Sequence, residues 1–349
     1  MIKGRGAQKQ VKNRFLVHEY VQEHLEAIDE FDGQNPNTKY IPIFPKTIVN
    51  KVESPDVGMT YSLNPYQGCE HGCIYCYARN SHEYWGYNAG LDFEKVIMYK
   101  ESAPQLLEKH LQNPNWQPST IVLSGNTDCY QPLEQKLEIT RKLLAIFLKY
   151  KHPVGIITKN VTITRDLDII GPLADLNLIS VYFSLTTLDE SVRRKLEPRT
   201  ASAARKLKAI EALTQRGVPV NIMIGPIIPG LNDHEIPEIM KAAAEAGARG
   251  AGYTMVRLNG AIGQVFEHWV QEAFPDRASK ILNQIKEAHG GKLNDSRYST
   301  RMRGEGLMVQ SINRLFELSK AKYFQNTEPR PKLRTDLFVK TNKGQMGLF

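Results

Sequence analysis

Short apolar segments rich in β-branched residues alternate with amphipathic segments along residues 68–257, and this alternation restricts the fold more than any other feature. In the amphipathic segments Leu and Ile recur at steps of three and four, which predicts helices. Strands alternating with such helices form βαβ units, so we predict an α/β fold, a partial (β/α) barrel of TIM type with functional loops at the carboxyl ends of its strands. The predicted strands are 120–124, 154–158, 179–184, 219–224 and 251–256, and the clearest predicted helices are 133–150, 200–216 and 231–246.

The two ends of the chain differ from this central region. Residues 1–60 mix charge with Pro and Gly, which predicts an N-terminal arm with at most one helix, near residues 14–28. Residues 61–260 form the predicted core, and residues 261–324 a C-terminal helical extension. Residues 325–349 contain Pro and charge with too few apolar residues to pack alone, so we expect a flexible tail.

The chain of 349 residues carries a formal net charge of +8 at pH 7. Such an excess serves solubility, and it also fits a polyanionic partner such as nucleic acid. No run of about eighteen apolar residues is present, and the N-terminus lacks the apolar centre of a secretory signal. We therefore expect a cytoplasmic protein with no membrane partner.

Three of the four cysteines lie together in the segment NPYQGCEHGCIYCYAR. Cys69, Cys73 and Cys76 are close enough for a tight loop to direct all three sulfurs at one soft metal centre. A structural zinc site normally closes a tetrahedron with a fourth Cys or His, and His71 lies where such convergence is awkward. Chemistry alone leaves three alternatives: an iron–sulfur cluster with an open iron, a zinc site, or unligated thiols.

The spacing Cys-x3-Cys-x2-Cys, with an aromatic residue before the last Cys, resembles the signature of the radical S-adenosylmethionine (SAM) superfamily. The resemblance implies a barrel of the radical SAM type and a 4Fe-4S cluster on Cys69, Cys73 and Cys76. The fourth iron would bind the amino and carboxylate groups of SAM. One electron from a donor protein would then cleave SAM to methionine and a 5′-deoxyadenosyl radical. In this interpretation Tyr75 and Tyr77 shield the cluster.

A small and polar segment, SGNTDCYQPLE, follows the predicted strand 120–124. Its side chains and amides emerge at the carboxyl edge of the predicted sheet, where ligands bind in such folds. The superfamily resemblance implies that Gly125, Asn126, Thr127 and Asp128 contact the SAM amino group. The alternative is that one of these polar residues caps the following helix.

Three other strand ends carry candidate SAM contacts. Ser184 and Arg194 are candidates for the ribose and the methionine carboxylate, although basic runs are more often solvated helix faces. Lys159, after the strand ending IITK, allows the same two interpretations. Gly225 lies in a turn after a predicted strand, where the backbone can approach the flat adenine of SAM closely. The alternative is that this turn has a structural role only.

The segments NPYQGCEHGCIYCYAR, NTDCYQPLE and SLTTLDE…LEPRT together resemble the group related to spore photoproduct lyase, described as DNA repair photolyase-like. The resemblance covers about residues 60–260 and implies a lyase-like radical SAM enzyme acting on DNA or a nucleic-acid base. A tRNA, a peptide and a small metabolite are alternative substrates. A zinc-stabilised nucleic-acid-binding protein without catalysis is the alternative of another class.

Cys129 is the remaining cysteine and is remote in sequence from the other three. It has three possible roles: a small buried hydrophobic side chain, which we favour, a metal ligand, or a hydrogen-atom donor to a product radical. Spore photoproduct lyase uses a cysteine as such a donor, so the resemblance makes Cys129 a candidate catalytic residue.

The segment QMGLF in the tail resembles the Gln-Leu-x-Leu-Phe peptide by which bacterial replication and repair proteins bind the DNA sliding clamp. Met346, Leu348 and Phe349 would fill an apolar groove, and Gln345 would set the register by hydrogen bonds. The alternative is a tail that packs on its own domain. The sequence thus predicts the sliding clamp as a partner in addition to DNA.

Overall fold

The computed structural model describes residues 5–7, 11, 13, 38–328 and 332–340. The helix predicted near residues 14–28 lies outside these residues. The predicted clamp-binding peptide also lies outside them; it comprises Gln345, Met346, Leu348 and Phe349.

Ten short strands occur in the described residues. The predicted strands 154–158 and 179–184 are confirmed with their bounds, and the other three predicted strands are confirmed with shifted ends. In chain order the strands are β1 (Lys39–Pro42), β2 (Val49–Lys51), β3 (Tyr61–Leu63), β4 (Tyr66–Gln67), β5 (Val96–Tyr99), β6 (Ile121–Leu123), β7 (Val154–Thr158), β8 (Ile179–Ser184), β9 (Val220–Ile227) and β10 (Ala251–Met255).

Eleven α-helices connect or follow these strands in the same part of the chain, together with 3-10 helices at Tyr77–Trp85, Val161–Asp166 and Asp233–Glu235. The α-helices are α1 (Asp92–Lys95), α2 (Ala103–Leu111), α3 (Glu134–Leu137), α4 (Ile139–Lys149), α5 (Leu167–Asp175), α6 (Glu190–Leu196), α7 (Ala203–Gln215), α8 (Ile236–Glu245), α9 (Ile262–Ala273), α10 (Ala278–Ala288) and α11 (Leu307–Phe324).

A seven-stranded sheet in the order β10-β9-β8-β7-β6-β3-β2 forms the centre of the fold. Neighbours from β3 to β10 pair in parallel, and β2 pairs with β3 in antiparallel orientation. Among the described residues β2 and β10 do not pair with each other, so the six parallel strands form an open, partial barrel, as predicted. Their carboxyl ends meet at one edge of the sheet, called here the carboxyl edge.

A second sheet, in the order β1-β5-β4, leads directly into the segment with the three cysteines. β1 comes from the N-terminal arm and pairs in parallel with β5, whereas β4 pairs with β5 in antiparallel orientation. The sequence predicted no strand in the arm because β1 is largely exposed and lacks an apolar alternation. Its structure comes from its pairing with β5.

The predicted helix 133–150 is wrong as a single helix, because the chain breaks at Glu138. Glu138 adopts a left-handed conformation with a φ of 51°. The buried Glu134 carboxylate accepts hydrogen bonds from the backbone N–H groups of Thr140 (3.0 Å) and Arg141 (3.3 Å), at the start of α4. A side chain of the first helix thus caps the second, which favours the break.

The C-terminal segments pack against the barrel. α11 lies against α8, and α9 and α10 contribute to a buried apolar cluster that also contains Cys73, Ile74 and Tyr75. In residues 332–340, Val339 N donates to Tyr150 O at 3.1 Å and the Phe338 ring packs on His152. This part of the tail packs on the barrel, which supplies the apolar surface that the tail itself lacks.

Within the described ranges, no helix combines the length and the apolar character needed to cross a bilayer.

Candidate functional site

Cys69, Cys73 and Cys76 lie on one tight loop, residues 68–76, called here the cysteine loop. Gly68 follows β4 with a φ of +79°, and a Cβ atom there would lie 2.6 Å from Val96 O, so the position requires glycine. Cys69 and Cys73 are 8% and 7% exposed, whereas Cys76 is partly exposed. The loop therefore holds two thiols inside the protein and one towards its surface.

Burial controls the chemistry of these thiols. Burial, with a contribution from Asp128, raises the pKa of Cys69 well above its ordinary value. Burial also raises the pKa of Cys73 to about 12. Burial therefore disfavours the thiolate form of both side chains in the absence of a metal. Binding of a metal centre must then release protons, because the thiolate is the ligand.

The donor set of the loop fits a 4Fe-4S cluster with one open iron. In the described part of the chain, no three Cys, His, Asp or Glu side chains form a group that would hold a single metal ion. The cysteines of an iron–sulfur cluster bind different irons. Three sulfurs would ligate three irons and leave the fourth for another ligand.

His71, the nearest candidate for a fourth ligand, contacts protein side chains instead. Its Nε2 lies 3.0 Å from Asn160 Nδ2, and its Nδ1 lies 3.5 Å from Asp128 Oδ2. Burial lowers the pKa of His71 to about 4, so the imidazole is neutral. This arrangement favours a three-cysteine cluster over a closed zinc tetrahedron.

The loop after β6 lies directly beside the cysteine loop. Asn126 N and Thr127 N both donate to Asn64 Oδ1, at 2.7 and 3.2 Å. The Tyr77 hydroxyl donates to Gly125 O, which joins this loop to the residue after Cys76. The structure thus brings the predicted SAM-binding residues of this loop next to the predicted cluster ligands.

Asp128, the last polar residue of that loop, connects it to the end of β7. Its carboxylate accepts hydrogen bonds from Thr158 Oγ1 at 2.7 Å and from Lys159 N at 3.0 Å. The first α-helix after this loop, α3, has Leu133 at its N-cap position. The alternative, in which a polar residue of 125–128 caps the following α-helix, is therefore wrong.

A buried charge cluster lies behind the cysteine loop and consists of Lys159, Glu197 and Lys206. Glu197 accepts from Lys159 Nζ at 3.2 Å and from Lys206 Nζ at 3.0 Å. The Tyr75 hydroxyl donates to the same carboxylate and accepts from Lys159 Nζ at 2.8 Å. Tyr75 thereby connects the cysteine loop to this charge cluster.

Two ammonium groups share one carboxylate in this cluster, so its net charge is positive. Burial alone would raise the pKa of Glu197, but Lys159 and Lys206 hold it well below its ordinary value. Burial alone would lower the pKa of Lys159, but Cys73 and Glu197 raise it well above its ordinary value. Glu197 and Lys159 are thus charged, and two basic side chains that share one carboxylate favour an anionic group nearby.

The remaining predicted site residues have different surroundings. Ser184 is buried at the carboxyl end of β8, and Gly225 O accepts from Thr186 Oγ1 at 3.2 Å. The Arg194 side chain is 73% exposed and pairs with Glu190, which matches a solvated helix face. Cys129 is fully buried in the main apolar core.

Arg257 is a site residue that the sequence interpretation missed. It follows β10 at the carboxyl edge, is half-buried, and lies near Tyr77. The Asn80 side chain donates to Asn259 O at 2.8 Å, which links the segment after β10 to the 3-10 helix that begins at Tyr77. A basic residue directly after the last strand was the signal that could have identified it.

Arg257 has no carboxylate within 4.0 Å among the residues that the structure describes. Its Nη1 lies 3.5 Å from Met302 Sδ, and its buried Nε has no hydrogen-bond partner. The two nearby carboxylates bind other residues: Asp56 pairs with Arg301, and Asp295 pairs with Arg297. Burial and the neighbouring Arg301 lower the pKa of Arg257.

Comparison with known proteins identifies the family. The sequence model of the Radical SAM superfamily matches residues 63–243. An uncharacterized protein of Mycobacterium tuberculosis is 30% identical over 254 residues, which cover 72% of this chain and 74% of that protein. An uncharacterized protein of Methanocaldococcus jannaschii is 26% identical over 251 residues, which cover 72% and 89%.

Solved structures agree with this fold. Spore photoproduct lyase complexed with dinucleoside spore photoproduct is similar with a TM-score of 0.59 and 14% identity, over 82% of this chain and 79% of that chain. The structure of a cysteine-to-serine mutant of spore photoproduct lyase gives a TM-score of 0.58 at 13% identity over the same shares. The similarity to these solved structures concerns the fold alone. The residues matched by the family model include all three cysteines of the loop. The chain belongs to the radical SAM superfamily, whose members use a 4Fe-4S cluster and S-adenosylmethionine.

Proposed function

We propose that this protein is a radical SAM enzyme that acts on DNA or on a nucleic-acid base, in a lyase-like repair reaction. A cluster held by Cys69, Cys73 and Cys76 would supply the electron that cleaves SAM to methionine and a 5′-deoxyadenosyl radical. A donor protein would reduce the cluster. The protein residues would bind and orient both substrates and exclude water from the carboxyl edge of the sheet.

The charge cluster behind the cysteine loop is suited to the methionine end of SAM. Lys159 and Lys206 share the carboxylate of Glu197, which leaves two basic side chains with one carboxylate among the described residues. The SAM carboxylate would supply the missing negative charge, with Lys159 as the nearer ligand because it contacts Tyr75 of the cysteine loop. Asp128 and the adjacent backbone would accept hydrogen bonds from the SAM amino group.

The observation that carries the nucleic-acid substrate is the guanidinium of Arg257 at the carboxyl edge, which has no carboxylate within 4.0 Å in the described part of the chain and whose buried Nε has no partner there. A half-buried arginine without a carboxylate has a strong preference for a planar or tetrahedral oxyanion, and phosphodiesters supply such groups. Arg301 lies nearby and stacks on the ring of Tyr298, which is largely exposed. Exposed aromatic rings next to arginines are suited to stacking an unpaired base.

Replacing Arg257 with Gln should weaken binding to a short DNA duplex about ten-fold at low salt and reduce the slope of log Kd against log salt by about one. The reason is the loss of one phosphate contact together with its released counterion. Fluorescence anisotropy at four salt concentrations measures both quantities, with undamaged and ultraviolet-irradiated duplexes as probes. Arg194→Gln is the matched control, since Arg194 is exposed and paired with Glu190, and should leave the slope unchanged.

An unchanged affinity and slope in Arg257→Gln would contradict the proposed phosphate contact. The same titration with a single-stranded RNA of equal length separates DNA from a tRNA substrate. Tighter binding of the RNA than of the DNA at every salt concentration would favour the tRNA alternative. If the binding of neither DNA nor RNA depended on salt, the protein would make no phosphate contacts, which would favour a peptide or a small metabolite as the substrate.

The sliding clamp belongs to the same proposal as a partner that would bring the enzyme to DNA. The last described residues, 332–340, lie at the edge of the sheet opposite the cysteine loop, because they contact Tyr150 and Pro114, which precede β7 and β6. A clamp bound through the residues that follow would therefore leave the carboxyl edge accessible. This geometry is compatible with simultaneous binding of the clamp and the DNA substrate.

A triple variant, Gln345→Ala with Leu348→Ala and Phe349→Ala, should lose at least about ten-fold in affinity for a purified bacterial sliding clamp. The apolar side chains and the glutamine together supply the contacts that such a groove recognises. Surface plasmon resonance on immobilised clamp measures the change, and Lys343→Ala is the control that should bind as the intact chain does. Equal clamp affinity of the triple variant and the intact chain would remove the clamp from the proposal.

A further inference from the structure

Residues 5–7 of the N-terminal arm lie across the cysteine loop. The contact is tight at Gly6, where a Cβ atom would lie 1.7 Å from the carbonyl oxygen of Gly72. Gly72 stands between His71 and Cys73 and itself has a φ of +69°. Two glycines, Gly6 and Gly72, thus meet at the turn between Cys69 and Cys73. Only glycine at position 6 permits this approach.

The fully buried Glu94 carboxylate holds residues 5–7 in this position. Its Oε2 accepts from Gly6 N at 3.0 Å, and its Oε1 accepts from Ala7 N at 2.7 Å. The Arg5 guanidinium donates to the backbone carbonyl of Glu94 at 2.5 Å. Charge-assisted bonds inside a protein are strong, so this carboxylate is a firm anchor for the segment.

The same carboxylate also acts on the cysteine loop itself, through Arg79. Arg79 Nη2 lies 2.6 Å from Glu94 Oε1, and both side chains are fully buried. The Nε of this arginine donates to Cys73 O at 2.9 Å, and its backbone N–H donates to Cys76 O at 3.2 Å. The arm, Glu94, Arg79 and two of the three cysteines therefore form one continuous hydrogen-bonded chain.

Apolar packing supports the polar contacts. Ala7 is fully buried and Val11 is nearly so, in the same apolar cluster as Cys73 and Ile74. Farther along the arm, Asn13 Nδ2 donates to the backbone carbonyls of Glu83, at 2.9 Å, and Tyr87, at 2.8 Å. The arm is thus also fixed at Val11 and Asn13, on the C-terminal side of residues 5–7, and it covers part of the cysteine loop.

We propose that residues 5–7 are a clasp that keeps the cysteine loop in the conformation that binds the cluster and protects the cluster from solvent and oxygen. Glu94 and Arg79 are positioning residues, since they act through the backbone of Cys73 and Cys76. The loop contains glycines at 68 and 72, and the clasp restricts the conformational freedom that these glycines provide. The inference rests on the proposed assignment of Cys69, Cys73 and Cys76 as the cluster ligands.

Two variants test the clasp in the full chain, purified without oxygen. Gly6→Ala introduces a methyl group that collides with Gly72 O, and Glu94→Gln removes the anchoring charge. The matched controls are Gly58→Ala, where a Cβ atom meets no heavy atom within 4 Å, and Glu101→Gln, where the side chain is exposed. The readouts are the rate at which absorbance near 400 nm is lost in air, the electron paramagnetic resonance spectrum of the reduced cluster, and the melting temperature of the cluster-free protein.

Both clasp variants should lose the cluster in air about five-fold faster than the intact chain and both controls. Gly6→Ala should also broaden the spectrum of the reduced cluster, while it lowers the melting temperature of the cluster-free protein only slightly, because the disturbed contacts are those of the terminal arm. That combination separates positioning of the loop from a general loss of stability. Cluster loss at the rate of the intact chain in both variants would overturn the clasp. Failure of the cysteine assignment would be seen differently, as full iron binding when the cysteines themselves are replaced.

Discussion

Replacing Cys69, Cys73 or Cys76 singly with Ala should reduce the iron content from about four atoms per chain to nearly zero and abolish formation of 5′-deoxyadenosine. Each cysteine would bind a different iron, so the loss of one sulfur would leave one iron without its protein ligand. His71 cannot replace it, because its two ring nitrogens face Asn160 and Asp128. Iron quantitation on anaerobically purified protein and chromatography of the SAM products measure the two effects.

Cys129→Ala is the control for this series, and it should keep about four irons per chain. Cys129 is fully buried in the main core, where its backbone N–H donates to Ser124 Oγ at 2.7 Å. If Cys129 is a hydrogen-atom donor, this variant should still consume SAM and form 5′-deoxyadenosine while its substrate product changes. Full iron content in any of the three loop variants would place the cluster elsewhere, and a colourless zinc protein would favour the non-catalytic alternative.

Replacing Glu197 with Gln should lower the free energy of unfolding by about 3–5 kcal/mol. The carboxylate is the shared partner of Lys159 and Lys206, and its loss leaves two buried ammonium groups without a counter-charge. Such a loss is a large part of the total stability of a typical domain. Urea denaturation of the cluster-free forms measures it, with Glu190→Gln, a replacement at a half-exposed position, as the control.

The Glu197 contribution should also depend on pH. Because the folded protein lowers the pKa of Glu197, its stabilisation is fully present above the ordinary carboxyl pKa of about 4.3 and is lost as the pH falls towards the folded value. Adding Lys206→Met to Glu197→Gln should recover part of the lost stability, since one unpaired ammonium group is removed. A loss below about 1 kcal/mol in Glu197→Gln would mean that one lysine is neutral in the folded protein.

The regular elements of the central region were predictable because their signals are local. β7 and β8 occur with their predicted bounds, since runs of buried β-branched residues favour strands wherever they pack. The predicted helix 231–246 begins later, at Ile236, because the Asn232 side chain contacts Ile228 N and Thr186 O and keeps the preceding turn non-helical. A bond to Thr186 cannot be inferred from the sequence around Asn232.

The candidate site was predictable to different degrees. The spacing of Cys69, Cys73 and Cys76 carries its own chemical meaning, because three thiolates on one tight loop favour a soft metal centre. The candidate SAM-binding residues in the loop after β6 could be assigned to the carboxyl edge of the sheet, because the carboxyl ends of parallel strands meet at one edge. Arg194 and Lys159 looked alike in sequence, but one is solvated and the other pairs with the buried Glu197.

The sequence by itself determined the alternation of strands and helices, the parallel sheet and the cysteine spacing that resembles the signature of the family. Only the tertiary structure decided which charged residues are buried together, as with Glu197 and its two lysines, and which remote segment covers the cysteine loop, as with Gly6 and Glu94. The physical reason is the range of the interactions. Hydrophobic periodicity and ligand spacing are patterns of residues that are close in sequence, so they can be recognised without the fold. The partner of a buried charge can be any group that the folded chain brings within hydrogen-bond distance, however remote in sequence.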